Sequence, residues 1–200
     1  MDGNRTTDSQ VSAALHANTR VGKDDWTRQA LDVIAEKGVG GVKVESLARQ
    51  LGITKGSFYW HFRDRSNLIG AALELWYRLG TAEVIERLDR IEDPKQRLRA
   101  LFTESFGDFV GGPIDALLLG QVDDPIVGPM VVRCTSERLE FLTRAYRLLG
   151  LSPQRAAARS RLVYAAYIGT GQLRRLPSGA PRTPREELAF ERELEFLLSV

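Results

Sequence analysis

The residues best suited to chemistry with a partner molecule lie between positions 54 and 65 of this chain. Phe58 and Phe62 are four positions apart, so a helix in this stretch would turn both rings to the same side. The other side would carry a polar and aromatic surface, made of Lys55, Gly56, Ser57, Tyr59, Trp60 and His61. Because it is rich in hydrogen-bond donors, this surface suits DNA better than a hydrophobic core.

These side chains fall into two groups with different tasks on DNA. Lys55 and Ser57 could reach base edges in the major groove, and Gly56 would let the helix approach without an intervening side chain. Phosphate contacts, which fix the register without distinguishing bases, suit a second group. This group consists of Thr54, Tyr59, His61 and Arg65.

Two short helices are predicted to position these residues as a helix-turn-helix. The first ends at Gly52, which can take the left-handed backbone of a tight turn. Its apolar positions are Val44, Leu47, Ala48 and Leu51. The second begins at Thr54, whose side chain can cap it. A longer helix precedes both and ends at Gly38. Its apolar positions are Trp26, Ala30, Val33 and Ile34.

The stretches VIAEKG and LARQLGITKGSFYWHFRDRSNL resemble the DNA-binding domain of the TetR (tetracycline-repressor) family, over roughly Asp24 to Leu75. The resemblance implies core and turn positions at Leu47, Ala48, Leu51, Gly52, Phe58 and Phe62. It implies operator contacts at Thr54, Lys55, Gly56, Ser57, Tyr59, Trp60, His61 and Arg65. Two residues depart from the family pattern. Lys43 stands where Ser or Thr usually caps the second helix, and Glu45 stands where a basic or polar phosphate contact is common.

Helical signals continue to the end of the chain, and no segment alternates as a half-buried strand would, so an all-α fold of about nine helices is predicted. Asp64 or Ser66 can cap the fourth helix, which is long enough to link two domains. Its apolar positions are Leu68, Ala72, Leu75, Trp76 and Leu79. Later helix starts are marked by Asp93 with Pro94, by Ser152 with Pro153, and by Thr183 with Pro184 and Glu186. Glycines and prolines between Ile114 and Pro129 predict a short helix and irregular backbone, with helical periodicity resuming at Leu139.

Three parts are predicted: a disordered tail over residues 1–20, a helix-turn-helix DNA-binding domain over 21–65, and a ligand-binding and dimerisation domain over 66–200. The family resemblance implies a homodimer that joins through the last two long helices, around Arg155 to Leu173 and Thr183 to Leu198. The first of these carries a small-residue face suited to close packing, made of Ala158, Leu162, Ala165, Ala166 and Gly169. The resemblance also implies an effector pocket among the preceding helices. Its predicted lining residues are Trp76, Phe102, Phe106, Phe109, Leu118, Phe141 and Tyr164. This apolar, weakly charged lining favours an apolar or aromatic effector.

Composition limits the remaining possibilities. The net charge of +2 over 200 residues means that any DNA-binding surface is local. The single cysteine, Cys134, has apolar neighbours typical of a buried thiol and fits a reducing cytoplasm. No stretch approaches a membrane span, and residues 1–20 lack the apolar core of a signal peptide, so a cytoplasmic protein is expected. The charged stretch from Arg133 to Glu140 is predicted to be a solvated face, and Asp123 with Asp124 a loop or cap.

Three functions remain to be compared. A ligand-responsive repressor that binds a pseudo-palindromic operator as a homodimer is favoured. A DNA-binding dimer without an effector stays open. A helical-bundle enzyme is disfavoured, because two histidines, one cysteine and the absence of an HExxH motif leave little for catalysis. No cofactor and no metal are predicted.

Overall fold

The computed structural model describes residues 21–106, 112–176, 179 and 183–198, and all the regular secondary structure in these ranges is helical. The helices are α1 (Lys23–Lys37), α2 (Val44–Gln50), α3 (Lys55–Phe58), α4 (Arg65–Tyr77), α5 (Glu83–Asp89), α6 (Pro94–Phe106), α7 (Gly112–Leu119), α8 (Val127–Leu148), α9 (Pro153–Leu173) and α10 (Pro184–Leu198). A π-helical turn, Arg78–Ala82, joins α4 to α5, so the described ranges contain nine separate α-helical runs, with a short 3-10 helix, Val39–Gly41, between α1 and α2. The all-α prediction is confirmed. The predicted tail, residues 1–20, lies outside the described residues.

Most of the predicted helix boundaries rest on local capping signals that the structure contains. Asp64, rather than Ser66, caps α4, since its carboxylate accepts a hydrogen bond from the Asn67 backbone N–H at 2.8 Å. The predicted caps of α6, α9 and α10 are also present, at Asp93, at Ser152 and in the reciprocal pair Thr183 and Glu186. The side-chain cap predicted for Thr54 is wrong. Thr54 precedes α3, but its backbone carbonyl, not its hydroxyl, accepts from the Ser57 N–H.

The helix that begins with α4 is longer than predicted. The sequence pattern ended it near Leu79, whereas the run continues through the π turn to Asp89. A π turn inserts one extra residue, and this shifts the register of the apolar positions. The periodic apolar positions of α4 are therefore not continued by Val84, Ile85 and Leu88, although all three face the interior of the second half of the molecule.

Helix α8 begins twelve residues before the predicted restart at Leu139, at Val127. Gly128 and Pro129 look like helix breakers, but both lie in its first turn, where a missing N–H costs no intrahelical bond. A Cβ on Gly128 would lie 2.2 Å from the Val122 carbonyl oxygen, so only glycine permits this close approach. Asp124 accepts hydrogen bonds from the N–H groups of Ile126 and Val127, which confirms its predicted role as a loop or cap residue.

The described helices pack around two hydrophobic cores. The first core lies among α1 to α4, α7 and the start of α8. The second lies among α5, α6, the rest of α8 and α9. Cys134 is buried in the first core, as predicted, and this burial raises the pKa of its thiol to about 11. No described helix is both long enough and apolar enough to cross a membrane.

Candidate functional site

Helix α3 and the turn after it present the polar and aromatic face that the sequence predicts. Trp60 is 87% exposed and Tyr59 is 62% exposed, which is unusual for such large rings. Thr54, Lys55 and Gly56 are exposed beside them, whereas Ser57 and His61 are half-buried. We call these seven residues the α3 face. The structure thus brings together on one surface all of the predicted DNA contacts except Arg65.

Two buried rings hold the α3 face in place. Phe58 and Phe62 are 1% and 2% exposed, and their rings stack with centroids 5.6 Å apart. Phe58 also meets Trp26 of α1 edge-on at 5.3 Å. A four-residue helix is too short to be stable alone, so tertiary contacts of this kind must stabilise it. The neighbouring Tyr59 ring packs edge-on against Phe58 at 5.2 Å, which steadies an otherwise exposed side chain.

Gly56 has no evident structural reason to be glycine. Its φ is not positive, and a Cβ built on it would meet only the Thr54 hydroxyl oxygen at 3.7 Å, an ordinary contact. Gly52, by contrast, has a φ of 69°, where a side chain would be strained. The bare backbone at Gly56 is therefore available to a partner.

An ion pair crosses the helix-turn-helix. The ammonium of Lys55 donates a hydrogen bond to the Glu45 carboxylate of α2. This hydrogen bond raises the pKa of Lys55 and lowers the pKa of Glu45. Both groups are exposed, so a phosphate or a base edge could compete with Glu45 for the ammonium. Glu45, noted in the sequence only as a departure from the family pattern, is thus a direct neighbour of a predicted DNA contact.

Arg65 has a different environment from the α3 face. Its guanidinium donates to the Val42 carbonyl at 2.7 Å and to the Val39 carbonyl, both in the connection between α1 and α2. These bonds tie the start of α4 to the helix-turn-helix. The predicted phosphate contact of Arg65 would have to compete with them.

A cavity of about 1070 Å³ is lined mostly by α5, α6, α8 and α9, together with residues of α1, α4, the π turn and α7. Five of the predicted pocket residues line it: Trp76, Phe102, Phe106, Phe141 and Tyr164. Leu118 does not, and its predicted place in the pocket is wrong. It is fully buried in the first core, one helical turn beyond Ile114, which does line the cavity. Phe109 lies outside the described residues.

One wall of the cavity carries a buried charged cluster. The Asp115 carboxylate accepts hydrogen bonds from the Trp76 indole N–H at 2.7 Å, from the Arg138 guanidinium at 2.8 Å and from the Tyr167 hydroxyl. The side chains of Asp115 and Arg138 are 2% and 13% exposed. The prediction of a solvated face from Arg133 to Glu140 is therefore wrong at Arg138, and the cavity is more charged than predicted.

The sequence held one signal for this cluster. Asp115 is the only polar residue in the run IDALLL, and a lone acid on an apolar helix needs a buried partner. Nothing local identifies Arg138 as that partner, because 23 positions separate the two. Burial and the nearby carboxylate raise the pKa of Tyr167, so its hydroxyl stays protonated and donates to Asp115.

The long C-terminal helices present a second exposed apolar surface. On α9, Ala158 and Ala165 are exposed together with Leu162, which is 65% exposed. On α10, Leu188 is 48% exposed and Phe196 is 77% exposed. These side chains lie on the helices that the sequence assigns to a dimer interface.

Comparison with known proteins supports the helix-turn-helix assignment. Residues 27–72 match the family model described as bacterial regulatory proteins, tetR family. The tetracycline repressor protein class A from transposon 1721 of Escherichia coli is 32% identical over 71 residues, which span 36% of this chain and 33% of that repressor.

Residues 27–72 of this chain form a TetR-type helix-turn-helix segment.

Solved structures extend the likeness beyond the N-terminal helices. A TetR-family transcriptional regulator from Agrobacterium tumefaciens matches with a TM-score of 0.72 at 21% identity, covering 87% of this chain and 96% of that one. FadR from Bacillus subtilis, solved in complex with stearoyl-CoA, matches with a TM-score of 0.66 at 14% identity, covering 88% and 97%. At these identities the likeness establishes the fold of this chain and nothing finer.

The matched segment, residues 27–72, includes the whole α3 face and ends before Trp76 and most of the residues that line the cavity. The sequence match therefore bears on the helix-turn-helix alone, and it spans only about a third of the tetracycline repressor's length. The residue roles on the α3 face, the cavity and the C-terminal surface remain predictions.

Proposed function

We propose that this protein is a ligand-responsive transcriptional repressor that binds a pseudo-palindromic operator as a homodimer. The observation that carries the proposal is the α3 face, where donors and two exposed aromatic rings surround a glycine that the fold does not require. The proteins compared above are named as regulators, and the proposal includes no catalytic step. Since it acts on the chromosome, its proposed compartment is the cytoplasm.

The proposed contacts follow the exposure of each side chain. Lys55 and Ser57 read base edges, and Gly56 lets the backbone of α3 approach the floor of the major groove. Thr54, Tyr59 and His61 donate to phosphates. Trp60, the most exposed ring, covers the adjacent sugar and phosphate surface. Arg65 contributes chiefly by fixing the start of α4 against the helix-turn-helix.

The proposed dimer forms through α9 and α10, whose exposed apolar residues would be covered by the same helices of a second copy. Leu162→Asp should convert the dimer to a monomer in sedimentation experiments. Val132→Asp is the matched control, because Val132 is 58% exposed on α8, outside the proposed interface. A dimer that survives Leu162→Asp and dissociates with Val132→Asp would place the interface elsewhere.

The proposed effector occupies the cavity, which favours a ligand-responsive regulator over a dimer without an effector. FadR, which has the same fold, was solved with a small molecule bound. In this chain α4 extends from Trp76 at the cavity to Arg65 beside the helix-turn-helix. A ligand that moves α4 would change the separation of the two α3 helices. Because half-sites lie roughly 34 Å apart on DNA, a small change in separation lowers operator affinity.

Selection of genomic fragments by the purified full-length protein, followed by footprinting, tests the proposal. The expected result is a short set of fragments that share a palindrome with half-sites about one helical turn apart. Tyr59→Ala should lose this selection, whereas Lys95→Ala, an exposed residue on α6, should retain it. Selection without any shared sequence, or equal selection by Tyr59→Ala, would contradict the proposal.

A further inference from the structure

The charges in the cavity wall neutralise each other. Asp115 and Arg138 form an ion pair with 2.8 Å between carboxylate oxygen and guanidinium nitrogen. The guanidinium also donates to the Thr81 hydroxyl at 2.9 Å and to the Gly80 carbonyl at 3.1 Å. Both acceptors belong to the π turn that joins α4 to α5. The pair is therefore held by α7, α8 and this turn, and it carries no net charge.

We propose that the cavity selects uncharged aromatic molecules and excludes both anions and cations, because the deeply buried ion pair that its described residues form is closed on itself. This inference rests on the proposed function of the cavity as the effector site. It concerns the chemical class of the effector, which neither the fold nor the family fixes.

The hydrogen-bonding capacity of Asp115 is filled by described residues. A carboxylate offers about four lone-pair positions. Asp115 receives four hydrogen bonds, from the Trp76 indole, from two nitrogens of Arg138 and from the Tyr167 hydroxyl. A cationic ligand would have to displace one of these donors. If it displaced Arg138, it would leave a buried guanidinium without its counter-charge.

The same reasoning excludes an anion. An anionic group that took Arg138 as its partner would compete with Asp115, whose side chain is 2% exposed. A buried ion that loses its partner is destabilised by more than one new ion pair returns. A ligand without charge leaves the pair intact and gains from the apolar walls.

The other charged residues that the structure describes at the cavity are too exposed to decide its selectivity. Asp32 and Glu104 are exposed at its rim, and Glu104 accepts a hydrogen bond from Arg87. Water and salt screen such groups, so they contribute little to the binding of a ligand inside. Arg99 is also exposed at the rim.

The shape of the lining favours rings. Phe106 meets Phe102 at 6.3 Å and Tyr167 edge-on at 6.0 Å, and Tyr164 stacks with Tyr167 at 6.3 Å. Aromatic pairs prefer such tilted and offset arrangements, and an aromatic guest can extend them. The volume of about 1070 Å³ is large enough for a molecule of two or three rings.

Two matched fluorescent probes test the selectivity without DNA. N-phenyl-1-naphthylamine is uncharged, and 8-anilino-1-naphthalenesulfonate has the same rings with one added sulfonate. The full-length protein should bind the uncharged probe at least tenfold more tightly. Equal or tighter binding of the sulfonate, or binding of neither probe, would overturn the proposal.

A cavity-filling variant shows where the probes bind. Ala100 is half-buried on the cavity wall, so Ala100→Trp should abolish binding of the uncharged probe. Val132→Trp places the same ring on an exposed position of α8 outside the cavity and should leave binding unchanged. Binding that survives Ala100→Trp would show that the probe occupies another site, which overturns the assignment.

Removing one charge should reverse the selectivity. Asp115→Asn keeps the shape and leaves Arg138 without a counter-charge, so the affinity ratio should shift at least tenfold toward the sulfonate. Glu104→Gln, which removes an exposed carboxylate from the same cavity, should leave the ratio unchanged. An unchanged ratio in folded Asp115→Asn would overturn the proposal. If that variant does not fold, the ratio of the wild-type protein's affinities for the two probes still tests the proposal. Failure of operator selection would refute the regulator function without altering these ratios.

Discussion

The two hydrophobic cores of this protein use similar residues but are filled differently. In the first core, Phe58 contacts both Trp26 and Phe62, and each of the three rings is at most 2% exposed. In the second core, Phe102 and Phe141 are also buried, yet they line a cavity of about 1070 Å³. The filled core supports a surface that must keep its shape on DNA. The hollow core leaves space for a ligand at the expense of packing.

A pair of matched truncations tests whether the two cores differ in packing. Phe58→Ala should destabilise the protein by about 3–5 kcal/mol, since it opens a new void in a filled core. Phe141→Ala should cost roughly half as much, because one side of its ring already faces the cavity and has fewer contacts to lose. Urea unfolding of both variants measures the difference. Equal losses would mean that the second core is as well packed as the first.

The alkaline stability of the first core gives a second test. Burial raises the pKa of the Cys134 thiol from about 9 to about 11, so the folded state keeps the proton that the unfolded state loses. The associated stability is full below pH 9 and falls as pH rises from 9 to 11. Cys134→Ala should lessen this fall by about 1–2 kcal/mol. Urea unfolding of both proteins across this range, under reducing conditions, checks it. Parallel pH profiles would contradict the burial argument.

Gly56→Ala distinguishes an effect on DNA binding by the α3 face from an effect on the stability of the core beneath it. The added methyl meets only an ordinary contact within the protein, so stability should hold or rise by up to about 1 kcal/mol. Operator affinity should fall roughly tenfold, about 1.4 kcal/mol, because the methyl stands between α3 and the groove floor. Thermal unfolding and a binding titration together make the test. Unchanged affinity would mean that the backbone of α3 does not approach DNA closely.

The smallest expected effect concerns the Lys55 and Glu45 pair. Glu45→Gln should tighten operator binding about threefold, because Lys55 no longer has to leave a carboxylate to reach DNA. Glu36→Gln, which removes an exposed carboxylate next to Lys37 on α1, controls for the change in net charge. In a Lys55→Gln background the gain from Glu45→Gln should shrink. If Glu45→Gln still raised operator affinity threefold in that background, Glu45 would weaken binding by repelling DNA phosphate and not by holding Lys55.

Local signals in the sequence predicted the filled half of the molecule well. The apolar spacing of α1 to α3, the left-handed glycines at 38 and 52, and the cap at Asp64 all act within a few residues. Phe58 and Phe62 at a spacing of four were enough to infer which face of α3 is buried. The α3 face then follows as the remaining side.

The features that the sequence missed depend on long-range contacts. The π turn shifts the apolar register of α5 by one residue. Because the apolar periodicity of α4 stops there, the sequence pattern predicted the end of a helix. Arg138 looked solvated because its partner, Asp115, lies on another helix 23 positions earlier. The hydrogen bonds of Arg65 were missed because the Val39 and Val42 carbonyls that accept them are remote in sequence. Leu118 could be recognised as buried, but not assigned to one of the two cores.

The first experiment to make is a salt titration of binding to DNA from upstream of the protein's own gene, because it asks whether the α3 face binds DNA. It compares the wild type with Lys55→Ala and Tyr59→Ala, and uses Lys95→Ala as a control on α6. We expect the affinity of the wild type to fall steeply with salt. Both α3 variants should bind more weakly while their fold and dimerisation stay intact, and Lys95→Ala should behave as the wild type does. Binding without sequence preference, or identical affinities for all four proteins, would show that the α3 face does not bind DNA.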